Sequence, residues 1–182
     1  MPDEKTSSGP VTDATPVVKR LHQVFKERGL KLSVAESCTG GLISHYITAL
    51  PGASLFFEAC AVTYSVEAKK RLLGIREETI LKYGVISSET AALMASSIMR
   101  ITGSDYGLST TGNLGPDVLE GKQRGLVYIG VAYRDKTWTK ELRLTGTRTE
   151  NKETASIKAL EFLLEIMFEK SNPESPKGCI EP

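Results

Sequence analysis

The chain has 182 residues, of which 40% are apolar, and its 23 basic side chains against 22 acidic give a formal net charge of +1. That is the composition of one globular domain with its own core, without the cationic surplus needed to neutralise a run of phosphates, so duplex nucleic acid is excluded as a main partner. No apolar run approaches the roughly 20 residues of a bilayer span and the amino-terminal MPDEKTSSGP lacks a signal peptide's apolar stretch, so no membrane partner is expected.

The three cysteines, Cys38, Cys60 and Cys179, are odd in number and lack CxxC spacing, which fits a reducing cytoplasm. His22 and His45 are the only histidines. A metal cluster or a Ser-His-Asp triad has almost nothing to draw on, so no metal is expected and any nucleophile needs another base.

In chain order, Met1 to about Thr15 and Ser171 to Pro182 are polar, lack apolar periodicity and are expected to be disordered tails around one domain over 16–170. Val17, Val18, Leu21, Val24 and Phe25 recur at helical spacing, with Pro16 suited to the first helical position and Gly29 to the stop. Leu30 to Ala35 reads as a strand, followed by the turn Glu36-Ser37-Cys38-Thr39-Gly40-Gly41 and a helix over Leu42 to Leu50. A second strand is expected at Glu58 to Tyr64, a helix around Ala68 to Leu73 and a short one at Glu77 to Lys82. Ser87 or Ser88 caps a longer helix whose apolar positions include Ala91, Met94, Ile98 and Ile101, stopped by Gly103.

Tyr106 to Thr111 is the third strand. The segment Gly112 to Gly125 after it is too short for a helical crossover, so the fourth strand should be antiparallel to the third. Leu126 to Tyr133 and Thr137 to Leu144 form a hairpin across Arg134-Asp135-Lys136. A final helix over Thr149 to Phe168 buries Ile157, Leu160, Leu163, Leu164 and Met167.

The expected architecture is therefore α/β, with helices on both faces of a mixed, mostly parallel five-stranded sheet whose strands one, two, three and five share a direction. In such sheets ligands sit outside the carboxyl ends of the parallel strands. Ser37, Tyr64 and Thr111 fall at such ends, and Arg148 lies shortly past the fifth strand.

Ser37, just before a helix, faces unpaired N–H groups and the positive end of the helix dipole, a setting that favours an oxyanion. The backbone donors of Thr39 and Gly40 are open to close approach. Two readings compete with a nucleophile: Ser37 or Thr39 as an ordinary helix cap, and a bound phosphate at the same N-terminus. Cys38 is a rival nucleophile, and a small buried cysteine is its plain alternative.

Lys69 can act as base to a serine if its pKa is depressed, although Lys69-Lys70-Arg71 also reads as a solvated basic face. Tyr64 can orient a substrate or shuttle a proton as a further catalytic residue, or pack as an amphipathic side chain. Thr111 and Gly112 open a glycine-punctuated loop of a length that is often functional. Arg148 can clamp a carboxylate or phosphate, or be a lone surface arginine.

Glu36-Ser37-Cys38-Thr39-Gly40-Gly41, Val62-Thr63-Tyr64-Ser65 with Glu67-Ala68-Lys69, Thr111-Gly112 with Gly115-Pro116, and Gly146 with Arg148 together resemble the CinA carboxy-terminal domain family. Arg71-Leu72-Leu73-Gly74 and Val85-Ile86-Ser87 extend the likeness over about Val17 to Phe168. The resemblance implies a three-layer α/β/α sandwich and a nicotinamide-nucleotide amidohydrolase, or nicotinamide mononucleotide deamidase. Ser37 would attack the carboxamide with Lys69 as base, Tyr64 and Thr111 would belong to the pocket, and Arg148 would meet the nucleotide phosphate. No cofactor is implied, the partner is a small nucleotide substrate, and a homo-oligomer is expected.

The chain departs from the family pattern at Val66, where an Asn is usual, in the loop Asp117-Val118-Leu119-Glu120-Gly121, and at Lys152, where a second arginine is common. All three touch recognition and leave the nucleophile in place. A serine amidohydrolase for another amide, and a catalytically silent nucleotide-binding or interaction module, are the competing functions.

Overall fold

The computed structural model describes residues 13–116 and 120–169, and the two expected tails lie outside the described residues apart from 13–15. The elements in chain order are α1 (Thr15–Arg28), β1 (Leu32–Glu36), α2 (Leu42–Thr48), β2 (Phe57–Val62), α3 (Val66–Leu73), α4 (Glu77–Tyr83), α5 (Ser88–Thr102), β3 (Tyr106–Gly112), β4 (Leu126–Tyr133), β5 (Lys136–Arg143) and α6 (Arg148–Glu169).

Local chemistry sets the ends of these elements. Helix α1 closes on left-handed Gly29, whose N–H donates to Lys26 O while the Leu30 N–H donates to Phe25 O. This double closure takes Leu30 for the helix end, so β1 starts at Leu32 and not at the expected Leu30. Helix α5 is capped by Ser87, whose hydroxyl accepts the Thr90 N–H at 3.1 Å. Of its apolar positions Ile101 is 56% exposed, while the neighbouring Thr102 donates to Ser33 Oγ at 2.8 Å. The hairpin turn is shorter than expected, since Lys136 already pairs with Tyr133 and leaves Arg134 and Asp135 between the strands.

The five strands form one sheet in the order β2-β1-β3-β4-β5. Strand β1 is parallel to β2 and to β3, and β4 is antiparallel to both β3 and β5, as the connection lengths required. Helices α1, α2 and α6 cover one face and α3, α4 and α5 the other, which gives the three-layer sandwich. The larger core lies under the first group, built on Leu21, Phe25, Leu32, Phe56, Leu108, Leu160 and Leu163. Beneath α5 the backbones come close: a Cβ on Gly107 would lie 2.0 Å from Ala95 O, so β3 needs glycine there.

The chain leaves β1 for β2 on one side and later returns to place β3 on the other. That reversal opens a crevice at the carboxyl ends of β1 and β3, the position where open α/β sheets hold their ligands.

Candidate active site

The turn from Ser37 to Gly40 bridges β1 and α2 in this crevice. Its shape is fixed by main-chain bonds: Ser37 N–H donates to Thr110 O at 3.0 Å and Gly40 N–H to Ser37 O at 3.2 Å. Gly41 is the N-cap of α2 with φ of 93°, a left-handed value that disfavours any side chain. Neither Ser37 nor Thr39 caps the helix. That service comes from Glu36, fully buried at the end of β1, whose carboxylate accepts the N–H groups of Gly41, Ile43 and Ser44 at 2.8, 3.2 and 2.9 Å. The positive pole of α2 is thus already answered by a protein anion, which limits its use by a phosphate or an oxyanion.

Beside the turn, α3 begins at Ser65, whose hydroxyl accepts the Ala68 N–H at 3.0 Å. One helical turn on, Lys69 points inward on the same face as Leu73 and is only 2% exposed. Its Nζ donates to Ser37 Oγ at 2.8 Å and to Thr63 O at 2.8 Å. No carboxylate hydrogen-bonds this nitrogen among the described residues, and burial pulls its pKa down to about 8 against partial opposition from Cys38 and Glu120. The basic run therefore splits: Lys70 bridges Glu67 and Glu77 at 3.1 and 3.2 Å, Arg71 is exposed, and Lys69 alone turns into the protein.

Ser37 and Lys69 line a cavity of about 110 Å³ together with Tyr64, Thr111, Gly112 and Arg148. Six of the residues singled out in the sequence thus meet, although their elements lie far apart along the chain. Thr111 is buried and its hydroxyl donates to Val85 O at 2.6 Å, which ties the wall formed by Val85 and Ile86 to β3. Arg148 opens α6 and donates to Tyr64 Oη at 2.8 Å and to Gly115 O. The loop below it is braced by Asn113, which accepts the Gly115 N–H at 3.2 Å and donates to Lys122 O at 3.2 Å.

The structure leaves Thr39 and Gly40 outside the lining of this cavity. Thr39 is fully buried with its hydroxyl on Thr110 Oγ1 at 2.7 Å, and Gly40 is exposed. Lys152 reaches the outer side of the turn, where a Cβ on Gly40 would come within 3.5 Å of its Nζ. Cys38 lines the cavity, yet burial pushes its thiol up to about 12, the opposite of what a thiolate nucleophile needs. His45 is exposed on α2, and His22 is a core residue bonded to Ile47 O at 2.8 Å.

Three contributors were not identified from the sequence. Glu36 had a signal, since a carboxylate ending a strand that is buried throughout must have buried donors. Asn151, buried in α6 and donating to Gly146 O at 3.0 Å, had none. Glu120 accepts the Val85 and Ile86 N–H groups at 2.8 and 3.3 Å, a long-range pairing that no local pattern encodes.

Fold and site together define an α/β/α domain with a buried serine–lysine pair at the carboxyl edge of its parallel strands. The chain belongs to the CinA C-terminal domain family, whose model matches residues 14–167. A CinA-like protein of Chloroherpeton thalassium is 42% identical over 161 residues, covering 86% of this chain and 38% of that protein. The crystal structure of the competence damage-inducible protein A from Klebsiella pneumoniae superposes with a TM-score of 0.84 at 28% identity, covering 86% of this chain and 98% of that one. That of the competence/damage inducible protein CihA from Agrobacterium tumefaciens gives 0.81 at 32% identity, covering 85% and 95%. The chain spans about a third of the length of the curated relatives it matches. Among the described residues no helix is long and apolar enough to cross a membrane.

Proposed function

We propose that this chain hydrolyses the carboxamide of nicotinamide mononucleotide to nicotinate mononucleotide and ammonia through an acyl-enzyme on Ser37, with Lys69 as base. The observation that carries the reading is the 2.8 Å contact between Lys69 Nζ and Ser37 Oγ inside the protein, with no carboxylate on the lysine among the described residues. A lysine whose pKa is about 8 has a substantial neutral fraction near neutrality, and in that form its lone pair faces the hydroxyl.

The steps balance on these two groups. Ser37 Oγ bonds to the carboxamide carbon as its proton passes to Lys69. The resulting ammonium returns that proton to the leaving nitrogen, and ammonia departs as the C–N bond breaks. Water then attacks the ester as Lys69 takes one of its protons, that proton passes to Ser37 Oγ as the ester C–O bond breaks, and the released acid gives its remaining proton to ammonia or solvent to leave the carboxylate. Arg148 and Tyr64 stand at the rim, where a planar guanidinium suits the nucleotide phosphate.

Ammonia release from nicotinamide mononucleotide, measured for the parent chain and for Ser37→Ala, tests the proposal. Loss of at least about a thousandfold in kcat/KM is expected. Undiminished turnover in Ser37→Ala would remove the serine from the mechanism, and nucleotide binding without turnover in the parent would leave a silent binding module.

A second reading keeps the chemistry and changes the amide. It is favoured by Val66, which lines the cavity with Val85, Ile86 and Leu114 and makes its wall more apolar than a polar amide group would need. Higher kcat/KM on another aromatic or apolar carboxamide than on the mononucleotide would select it.

A further inference from the structure

Resting on the reading of Ser37 as nucleophile, we infer that Glu36 is a positioning residue whose ionised carboxylate, sealed beneath the turn, fixes where the Ser37 hydroxyl stands. The side chain is fully buried and both of its oxygens are engaged. Oε2 accepts the Gly41 and Ile43 N–H groups at 2.8 and 3.2 Å, and Oε1 accepts the Ser44 N–H at 2.9 Å and the Cys60 thiol at 3.5 Å.

All four partners are donors, so the position requires an acceptor with no hydrogen of its own, which among side chains means an ionised carboxylate. A helix needing only a cap takes a short polar residue at the N-cap itself. Here the N-cap is Gly41, without a side chain, and the acceptor arrives from the adjoining strand five residues upstream. Main chain and side chain of Glu36 therefore close a ring with Gly41 that contains Ser37, Cys38, Thr39 and Gly40. The same residue's carbonyl accepts the Thr63 N–H at 2.8 Å, and Thr63 O holds Lys69 Nζ at 2.8 Å. Glu36 thus ties the nucleophile's turn to the strand end that holds the base, and it does so without touching the cavity.

The test is the rate of phosphonylation of Ser37 by a fluorophosphonate, in which Oγ bonds to phosphorus, fluoride leaves and Lys69 takes the proton. Glu36→Gln keeps the shape but turns an amide NH₂ toward N–H donors. In a variant with parent-like circular dichroism, the labelling rate should fall about a hundredfold, the loss expected for a misplacement of about 1 Å. The pH midpoint of labelling should stay at the parent's value, because Lys69 Nζ donates to Ser37 Oγ and Thr63 O and makes no hydrogen bond to the Glu36 carboxylate. Glu36→Asp, one methylene short, should fall between the two and takes over the test should Glu36→Gln not fold.

Labelling within about twofold of the parent in a folded variant overturns the inference. So does a moved midpoint, which would make Glu36 an electrostatic partner of the lysine, and so does loss of the fold in both variants, which would make it a structural cap. A parent chain labelled no faster than Ser37→Ala would instead remove the nucleophile, and the inference with it.

Discussion

The floor and the rim of the cavity are built on opposite principles. At the floor, Lys69, Ser37 and Thr111 are 2%, 7% and 1% exposed, and each polar atom is held by a neighbour from another element. At the rim, Tyr64 is 61% exposed, and Arg148 meets it in open solvent. A charge–dipole contact gains its full strength only where water is excluded. The floor can therefore tune a pKa, whereas the rim can recognise a ligand but cannot alter proton affinities to a similar degree, and Arg148 bonds to Tyr64 and Gly115 at the rim while Lys69 bonds to Ser37 and Thr63 at the floor.

The contrast is broken most severely at Lys69. Lys69→Met should lower kcat/KM at least about a thousandfold with little change in nucleotide affinity, because it removes the proton acceptor from the floor and leaves the rim. In the parent, kcat/KM should climb with pH through about 8 as the amine loses its proton. Stability should respond as well. Between about 8 in the fold and the ordinary 10.5 the unfolded chain binds more protons than the folded one, so stability rises with pH across that window. Below it, the charged buried amine costs on the order of 3 kcal/mol. Lys69→Met should accordingly be more stable than the parent at pH 7, with the gap closing toward pH 10 in urea titrations. A gap independent of pH would show that the lysine is not held with a lowered proton affinity.

At the rim the effects should be smaller and should fall on binding. Arg148→Ala removes the donors to Tyr64 Oη and Gly115 O and should raise KM for the mononucleotide about ten- to fiftyfold, with kcat within about threefold. Tyr64→Phe keeps the ring and drops only the hydroxyl that accepts from Arg148, so a rise of about threefold in KM is expected. A drop in kcat from either substitution, matching that of Lys69→Met, would erase the distinction between floor and rim.

The sequence made the floor's components visible and left its geometry hidden. Ser37 was legible because a hydroxyl between a short apolar run and a pair of glycines fits a strand-to-helix turn, the parallel direction of β1, β2 and β3 followed from the alternation of strands and helices, and the antiparallel β4 from connection length. Lys69 was ambiguous, because Lys69-Lys70-Arg71 looks the same whether the helix turns one lysine inward or none. Only the packing of α3, with Leu73 one turn on as its buried companion, decides between them. Glu36 stands in the same motif, but its role depends on where the N–H groups of Gly41, Ile43 and Ser44 fall after folding, and pattern rules for caps look at the N-cap itself. The expected donor role of Gly40 met the same obstacle, since its N–H closes onto Ser37 O within the turn.

The smallest test concerns the residue whose carbonyl holds the base. Thr63 is fully buried, and its Oγ1 is a buried side-chain polar atom without a hydrogen-bond partner among the described residues, while its main-chain oxygen accepts Lys69 Nζ. An unpaired buried hydroxyl lowers stability relative to a methyl of the same size, and the carbonyl is indifferent to the exchange. Thr63→Val should therefore leave kcat and its pH midpoint within about twofold of the parent and raise the unfolding free energy by about 1 kcal/mol. Activity falling about tenfold or more would mean that the hydroxyl takes part in the proton path between Lys69 and Ser37, which would enlarge the floor by one member.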